Sequence, residues 1–303
     1  MPYAVCIANP GARRALTGAD DVKSRLGRFG YDVEFRWTEY PMHGAELARD
    51  AVSKKADLVI AAGGDGTINE VACGLALSRV PLVVFPCGTA NVLAREIRLP
   101  RRMHEVIDLI PRLQPLRIAL GKGGGRYFVL MAGVGIDAYI VYHLGAALKR
   151  RFGVVGFWIG GLRHWASYRF SSFSVKIDGT HFRATFGIVG RAAWYGGGVK
   201  ITSGAELAAD SFDVCLFQGR SRLSYLRYLF GVLTGTHRRF HDVVYMRGKR
   251  VEMASEVPIR VQMDGEAVGV LPMTFEVIPD ALTLMVPPRV KTIPVPTGSI
   301  GIY

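Results

Sequence analysis

Cysteine is scarce in this 303-residue chain: Cys6, Cys73, Cys87 and Cys215 are its four, and no two stand at C-x-x-C spacing. A dithiol redox centre or a zinc ribbon needs that spacing, so neither is expected. Three of the four lie in apolar stretches of the first half, which predicts reduced, buried thiols of a cytoplasmic protein. Acidic residues are also short, 25 Asp and Glu against 38 Lys and Arg, for a net charge of +13. A surplus of this sign suits a polyanion, an anionic membrane surface or a phosphorylated substrate, or gives only a soluble basic surface. Nucleic acid is not the expected partner, because the basic residues fall in helical stretches rather than a compact tract and no nucleic-acid motif accompanies them. Long hydrophobic runs are missing as well. The most apolar window, Phe152 to Leu162, is about 11 residues with four glycines, too short to span a bilayer. Tyr3 to Ala8 has no leading basic cluster and no cleavage signal, and reads as a strand rather than a secretory leader. Low-complexity tracts and internal repeats are lacking, and half of the residues are hydrophobic. The expectation is a globular chain of about two domains.

What the chain does have is a glycine-rich joint. Leu58 to Ala62 is a continuous apolar run of the kind that forms a buried parallel strand, followed by Gly63-Gly64-Asp65-Gly66-Thr67. Ile68, Val71, Ala72 and Leu75 then repeat at helical spacing. Thr67 with Glu70 three positions on has the form of a capping box, which predicts that the helix starts there. Backbone N–H groups at such a start, with three glycines in four positions, make a cradle for phosphate. A carboxylate amid those amides repels the ligand unless a metal ion or a transferable proton lies between them, so Asp65 is expected to be a phosphoryl-transfer group. The plainer alternative is a glycine-rich turn with an aspartate at a helix start.

Around this joint the pattern is β-α-β-α-β-α. Tyr3 to Ala8 is closed by Asn9-Pro10-Gly11, Val33, Phe35 and Trp37 alternate ahead of Thr38, and Pro81 to Phe85 leads into a helix bearing Leu93 and Ile97. This predicts a doubly wound sheet with ligands at the carboxyl ends of its strands. Cys87-Gly88-Thr89-Ala90-Asn91 repeats the strand-glycine-hydroxyl-helix arrangement at that edge, where Thr89 also fits a helix cap. After about residue 114 the alternation changes. Arg126 to Met131 reads as one strand, Ala138 to Tyr168 as two helical stretches, Phe182 to Val189 as the return strand of a hairpin turning at Asp178-Gly179, and Thr274 to Ile278 and Leu282 to Val286 as separate strands. This half is expected to be mainly antiparallel β. Two stretches are both basic and aromatic, Lys149 to Trp165 and Arg222 to Arg239, a mixture suited to an anionic headgroup layer or to ordinary amphipathic helices on a β core.

Taken together, Asn9-Pro10, Thr38 ahead of His43-Gly44-Ala45, the Gly63 to Thr67 loop, Gly88 to Ala94, Gly133 to Ala138, Gly196-Gly197-Gly198 and Asp264-Gly265-Glu266 resemble the diacylglycerol kinase catalytic-domain family, in its soluble bacterial branch related to sphingosine kinases. The resemblance covers nearly the whole chain. It implies an N-terminal doubly wound α/β nucleotide-binding domain over 1–124, a C-terminal mainly antiparallel β-sandwich domain over 125–287 that binds lipid, and a tail over 288–303. It implies a kinase that takes the γ-phosphate of ATP, with Mg²⁺, and places it on a lipid hydroxyl such as that of diacylglycerol. Carried over from the family, Asn9, Thr38, Gly63, Gly64, Gly66, Thr67, Thr89 and Asn91 are nucleotide contacts, with Glu266 reaching the nucleotide from the second domain. Asp65 and Asp264 are the two candidates for accepting the hydroxyl proton. Asp264-Gly265 also has the form of a plain hairpin turn. Asp210 sits in a loop resembling one that holds a structural Mg²⁺, although the family has Asp-Gly there and this chain has Asp210-Ser211. A further departure is Ala119, where the family commonly carries an aspartate that orients the lipid headgroup; Asp137 is a possible substitute. The implied partners are a lipid substrate at an anionic membrane surface and no nucleic acid, with a homodimer compatible. The implied location is cytoplasmic and peripherally membrane-associated, without a transmembrane segment. The alternatives are an NAD kinase-like enzyme with a soluble acceptor, since NAD kinases share the Gly-Gly-Asp-Gly loop, and a non-catalytic nucleotide- or lipid-binding protein.

Overall fold

The computed structural model describes residues 1–14, 19–143, 165, 168–196 and 198–288. The helical stretches expected across 144–164, the basic aromatic run that begins at Lys149 and the tail after 288 lie outside the described residues, apart from Trp165. Four short apolar runs form the parallel strands β1 (Tyr3–Ala8), β2 (Asp32–Trp37), β3 (Leu58–Gly63) and β4 (Pro81–Pro86). They pair in the order β2-β1-β3-β4. The helices α1 (Ala19–Arg28), α2 (His43–Ser53), α3 (Asp65–Gly74), α4 (Val92–Glu96) and α5 (Met103–Leu109) alternate with them. β1, β3 and β4 are almost wholly buried, which is why they read as unbroken apolar runs rather than as alternating ones.

The second half is antiparallel β, as expected. β5 (Gln114–Gly123), β6 (Arg126–Phe128), β8 (Phe173–Ile177), β9 (Thr180–Ala184) and β13 (Arg250–Ala254) join the first sheet through β16 (Met273–Val286). A second sheet runs β12-β11-β10-β7-β14-β15, from β7 (Met131–Val134), β10 (Phe186–Gly190), β11 (Phe212–Phe217), β12 (Val243–Gly248), β14 (Arg260–Met263) and β15 (Glu266–Val270). A core of Phe128, Phe173, Phe212, Val214, Val251 and Phe275 lies between these sheets. Phe128 stacks on Phe212 and meets Phe275 edge-on.

Three strand expectations are corrected. Arg126 to Met131 is two strands in two sheets, because the N–H groups of Val129, Leu130 and Met131 turn onto the Asp264 carboxylate instead of a neighbouring strand. Phe182 to Val189 breaks at Thr185, whose hydroxyl bonds the carbonyls of Phe217 and Gly219. The chain changes sheets there. Conversely, the two strands expected over 274–286 are one, β16, with a register shift between Ile278 and Leu282. Its far end pairs parallel to β4 through Thr283 and Leu284. The two halves therefore share a continuous ten-stranded sheet, which fixes the second half against the parallel strands of the first.

Candidate active site

The four parallel strands end on one edge. Ala8 is in register with Trp37 on one side and Ala62 on the other, and Gly63 with Pro86. The residues that follow, Asn9, Thr38, Gly63-Gly64 and Cys87-Gly88, are thus neighbours at the point where the strand order reverses, the place where such sheets bind ligands. Asn9 donates through its amide to the Thr38 hydroxyl at 3.4 Å and accepts from the Gly11 N–H at 2.8 Å.

Helix α3 starts at Asp65, two residues before the expected start, and Gly64 at its N-cap supplies no side-chain cap. The capping-box expectation is corrected accordingly. The Glu70 carboxylate reaches away from its own helix to the N–H groups of Met42 and Gly44, at 2.9 and 3.0 Å, and so caps α2. The first-turn N–H groups of α3 are left without intrahelical acceptors, as at any helix start. The glycines beside them are required by close approach. A Cβ on Gly88 would stand 2.6 Å from the Gly64 Cα, and one on Gly63 would stand 2.6 Å from the Thr67 Cβ. The two loops therefore meet backbone to backbone at Gly64 and Gly88, beside N–H groups of the kind that suit a phosphate.

Asn91, in the left-handed region with φ 46°, spends both ends of its amide on Gly88, accepting from its N–H at 2.9 Å and donating to its carbonyl at 2.8 Å. It shapes the second loop, while Thr89 stands exposed at the tip. Asp65 crosses between the loops. Its carboxylate accepts from the Val92 N–H at 2.6 Å at the start of α4, and burial nevertheless raises its pKa.

The second half brings Asp264 and Glu266 to this edge on the β14–β15 hairpin. Asp264 and Gly265 both have positive φ, 48° and 80°, the geometry of a type I′ turn. The turn reading is thus right about the backbone and incomplete about the side chain. The Asp264 carboxylate is buried and accepts three N–H bonds, from Val129 at 2.6 Å, Leu130 at 2.9 Å and Met131 at 2.8 Å. Burial outweighs these bonds, and the nearby Asp65 charge adds to it, so its pKa is pushed up to about 6. Glu266 pairs with Arg126 at 3.1 Å, and a side chain on Gly66 would come 3.9 Å from its Oε1. Asp65, Gly66, Asp264 and Glu266 thus converge from the two halves.

Behind this edge lies an apolar cavity of about 320 Å³, lined by Ile136, Ile140, Phe186, Ile201, Phe217 and Val232 among others. Asp137 is the one charged residue in its lining among the described residues. Asp137 is buried, accepts from the Tyr195 hydroxyl and accepts from the Gln262 amide at 2.8 Å. Burial raises its pKa. Gln262 in turn accepts from the Gly265 N–H at 2.7 Å. The chain Tyr195, Asp137, Gln262, Gly265 ties the polar end of the cavity to the turn that carries Asp264. Gly133 is demanded here, because a Cβ on it would stand 1.8 Å from the Asp137 carboxylate.

Asp210 stands apart from this assembly. It is exposed and pairs with Lys249 at 2.5 Å. The loop around it is held by the fully buried Arg191, whose guanidinium donates to the carbonyls of Leu207 and Ser211 at 2.6 Å and of Ala209 at 2.7 Å. An internal cation thus takes inward carbonyls of this loop, and no group of three His, Cys, Asp or Glu side chains suited to a metal occurs among the described residues. The metal role expected at Asp210 therefore rests on the resemblance alone. Sequence reasoning missed Arg191, Arg126, Gln262, Tyr195 and the cavity; an arginine inside an apolar strand-to-loop stretch, Ile188 to Ala193, was the available signal for the first.

The comparisons agree with this layout. Residues 3–122 match the diacylglycerol kinase catalytic domain, and residues 131–286 match the YegS C-terminal NAD kinase beta sandwich-like domain. The chain is 28% identical over 282 residues to a protein named Diacylglycerol kinase from Bacillus subtilis (strain 168), covering 91% of this chain and 93% of that one. It is likewise 28% identical over 276 residues to one of the same name from Staphylococcus aureus (strain JH9), with 89% and 87% covered. A crystal structure described as a diacylglycerol kinase from Bacillus anthracis superposes with a TM-score of 0.76 at 22% identity, over 95% of this chain and 98% of that one. A two-domain kinase fold of this type is what the sheets and the converging loops define. The chain belongs to the family that joins a diacylglycerol kinase catalytic domain to a YegS C-terminal NAD kinase beta sandwich-like domain. Among the described residues no helix is long and apolar enough to cross a membrane.

Proposed function

We propose that the protein is a lipid kinase that moves the γ-phosphate of ATP to a hydroxyl of a lipid such as diacylglycerol. The observation that carries this reading is the apolar cavity with its single carboxylate, linked through Gln262 to the Asp264 turn. A cavity of this kind accepts an acyl chain and has few groups to pair with the sugar and amide edges of a soluble dinucleotide. The indole N–H of Trp165, also in the lining, has no hydrogen-bond partner among the described residues and suits an ester carbonyl.

On this reading Gly63, Gly64, Gly66 and Thr67 hold the phosphates on backbone N–H groups, with Asn9, Thr38, Thr89, Asn91 and Glu266 around the rest of the nucleotide. Mg²⁺, if bound, would neutralise charge on the transferring phosphoryl group, and the Asp65 carboxylate would hold it, directly or through water. The acceptor oxygen bonds to the γ-phosphorus as the bond to the β-phosphate oxygen breaks and ADP leaves. The hydroxyl proton passes to a carboxylate. Asp264 suits that role, because a base with a pKa of about 6 is ionised at neutral pH and still basic enough to help. Asp137 and Tyr195 orient the headgroup in place of the family aspartate absent at Ala119.

An NAD kinase-like acceptor is the second reading, favoured by the description of the C-terminal domain as NAD kinase beta sandwich-like. The test is incubation with γ-labelled ATP, Mg²⁺ and either a total lipid extract or NAD. Label in an organic-soluble lipid is the expected result. Label in NADP alone, or in neither acceptor while ATP still binds, would replace the reading with the NAD kinase-like or the non-catalytic alternative.

A further inference from the structure

The helix α6 (Arg222–Thr234) packs one side against the second sheet, with Tyr225, Tyr228, Gly231 and Val232 buried. Its other side is apolar and, among the described residues, bare. Among the described residues, five of the twelve exposed large hydrophobic side chains belong to this one helix: Leu223, Leu226, Leu229, Phe230 and Leu233. Leu223, Leu226, Phe230 and Leu233 follow one another at helical spacing and form one stripe. Leu223, Phe230 and Leu233 are 77%, 66% and 58% exposed, a cost no soluble surface needs.

Two further observations say what covers this stripe. Leu226 and Leu229 are exposed and also line the apolar cavity, so the cavity reaches the surface along the same helix. The stripe is thus continuous with the interior that the proposed function assigns to an acyl chain. No acidic residue occurs from Gly219 to His241, whereas Arg220, Arg222, Arg238 and Arg239 are exposed at the two ends of the helix. Arg227, near the middle, is neutralised by Asp242. A bare apolar stripe flanked by arginines, with its central charge compensated, complements an acyl layer under anionic headgroups. A protein partner would need neither the arginines at both ends nor an opening into a cavity.

We propose that the outward face of α6 inserts into an anionic phospholipid bilayer and sets the cavity mouth at Leu226 and Leu229 against the acyl layer, so that the acceptor chain enters without crossing water. Only the identity of what enters rests on the lipid-kinase reading; docking stands on the helix itself.

The test compares the wild type with a Leu223→Asp, Phe230→Asp double variant, both positions being solvent-exposed so that thermal melting is expected to be unchanged. Sedimentation is measured with phosphatidylcholine vesicles with and without phosphatidylglycerol. The wild type is expected to bind the anionic vesicles, and the variant to bind them at least about tenfold more weakly. Transfer of label from ATP to long-chain diacylglycerol in those vesicles falls with binding, while transfer to a short-chain acceptor dissolved as monomer is unchanged. If neither acceptor is labelled by either protein but vesicle binding still separates them, the kinase reading fails and the docking surface stands. Equal sedimentation of the two proteins overturns the proposal. So does a wild-type dimer that the substitutions dissociate while vesicle binding is unchanged, which would assign the stripe to a second copy of the chain.

Discussion

Asp65 and Asp264 lie close together, yet their surroundings differ. Asp65 caps α4 from the start of α3, and Asp264 sits deeper, with three N–H donors fixing both of its oxygens. If both serve one transition state, Asp65→Asn and Asp264→Asn each lower the single-turnover rate by about 10²-fold or more, and the double variant is little worse than either. Asp264→Asn also costs about 1–3 kcal/mol of stability, because its amide nitrogen faces a backbone N–H where an oxygen accepted one. Melting measured alongside turnover separates these effects, and near wild-type turnover in both single variants would contradict the mechanism. The pH dependence is a further signature. With its folded pKa raised from 3.8 to about 6, Asp264 keeps a proton in the folded chain that the unfolded chain has released. Across that window its contribution to stability falls as pH rises, and it is flat above. Turnover runs the other way, since the ionised form is the base: it rises through about pH 6, and that limb is lost in Asp264→Asn. At this scale the sequence was informative about residue identity and silent about partners. Asp-Gly announced the turn, but the three amides that Asp264 holds are more than 130 positions away.

Among the elements, those defined by local pattern were legible and those defined by distant partners were not. β1, β3 and β4 followed from apolar runs because burial on both faces leaves no alternation. The capping box failed because Glu70 has better donors at the start of α2, a packing choice that a four-residue motif does not contain. The break at Val129–Leu130 is set by the distant Asp264 side chain and that at Thr185 by its own hydroxyl reaching distant carbonyls, and β16 continues through Pro279 because its two ends pair with different strands. The loop around Asp210 shows the same dependence. Burial draws the Arg191 pKa down to about 10, which leaves the guanidinium charged at neutral pH. Arg191→Met is expected to lower stability by about 3 kcal/mol or more in urea unfolding, since several carbonyls lose their donor in a site closed to water. In the same assay a chelator leaves the wild-type midpoint where it is in Mg²⁺. A chelator-induced loss would place a structural metal in this loop.

For the whole molecule, the order of elements and the positive charge were readable, and the two-part layout followed from them. The cavity was not, because it is a space between elements, closed by side chains from Ile136 to Val232 whose spacing shows no pattern along the chain. On the proposed function it is what separates a lipid acceptor from a soluble one. The central claim, that this cavity holds an acyl chain of the acceptor, is tested most directly by filling it. Val199 lines the cavity and is half-buried. The measurement is the initial rate of label transfer to diacylglycerols of increasing chain length, for the wild type and Val199→Trp, with ATP affinity by calorimetry as the control. The account predicts unchanged ATP affinity and a rate that falls for long chains in the variant while short chains are spared. Identical chain-length profiles for the two proteins would contradict it.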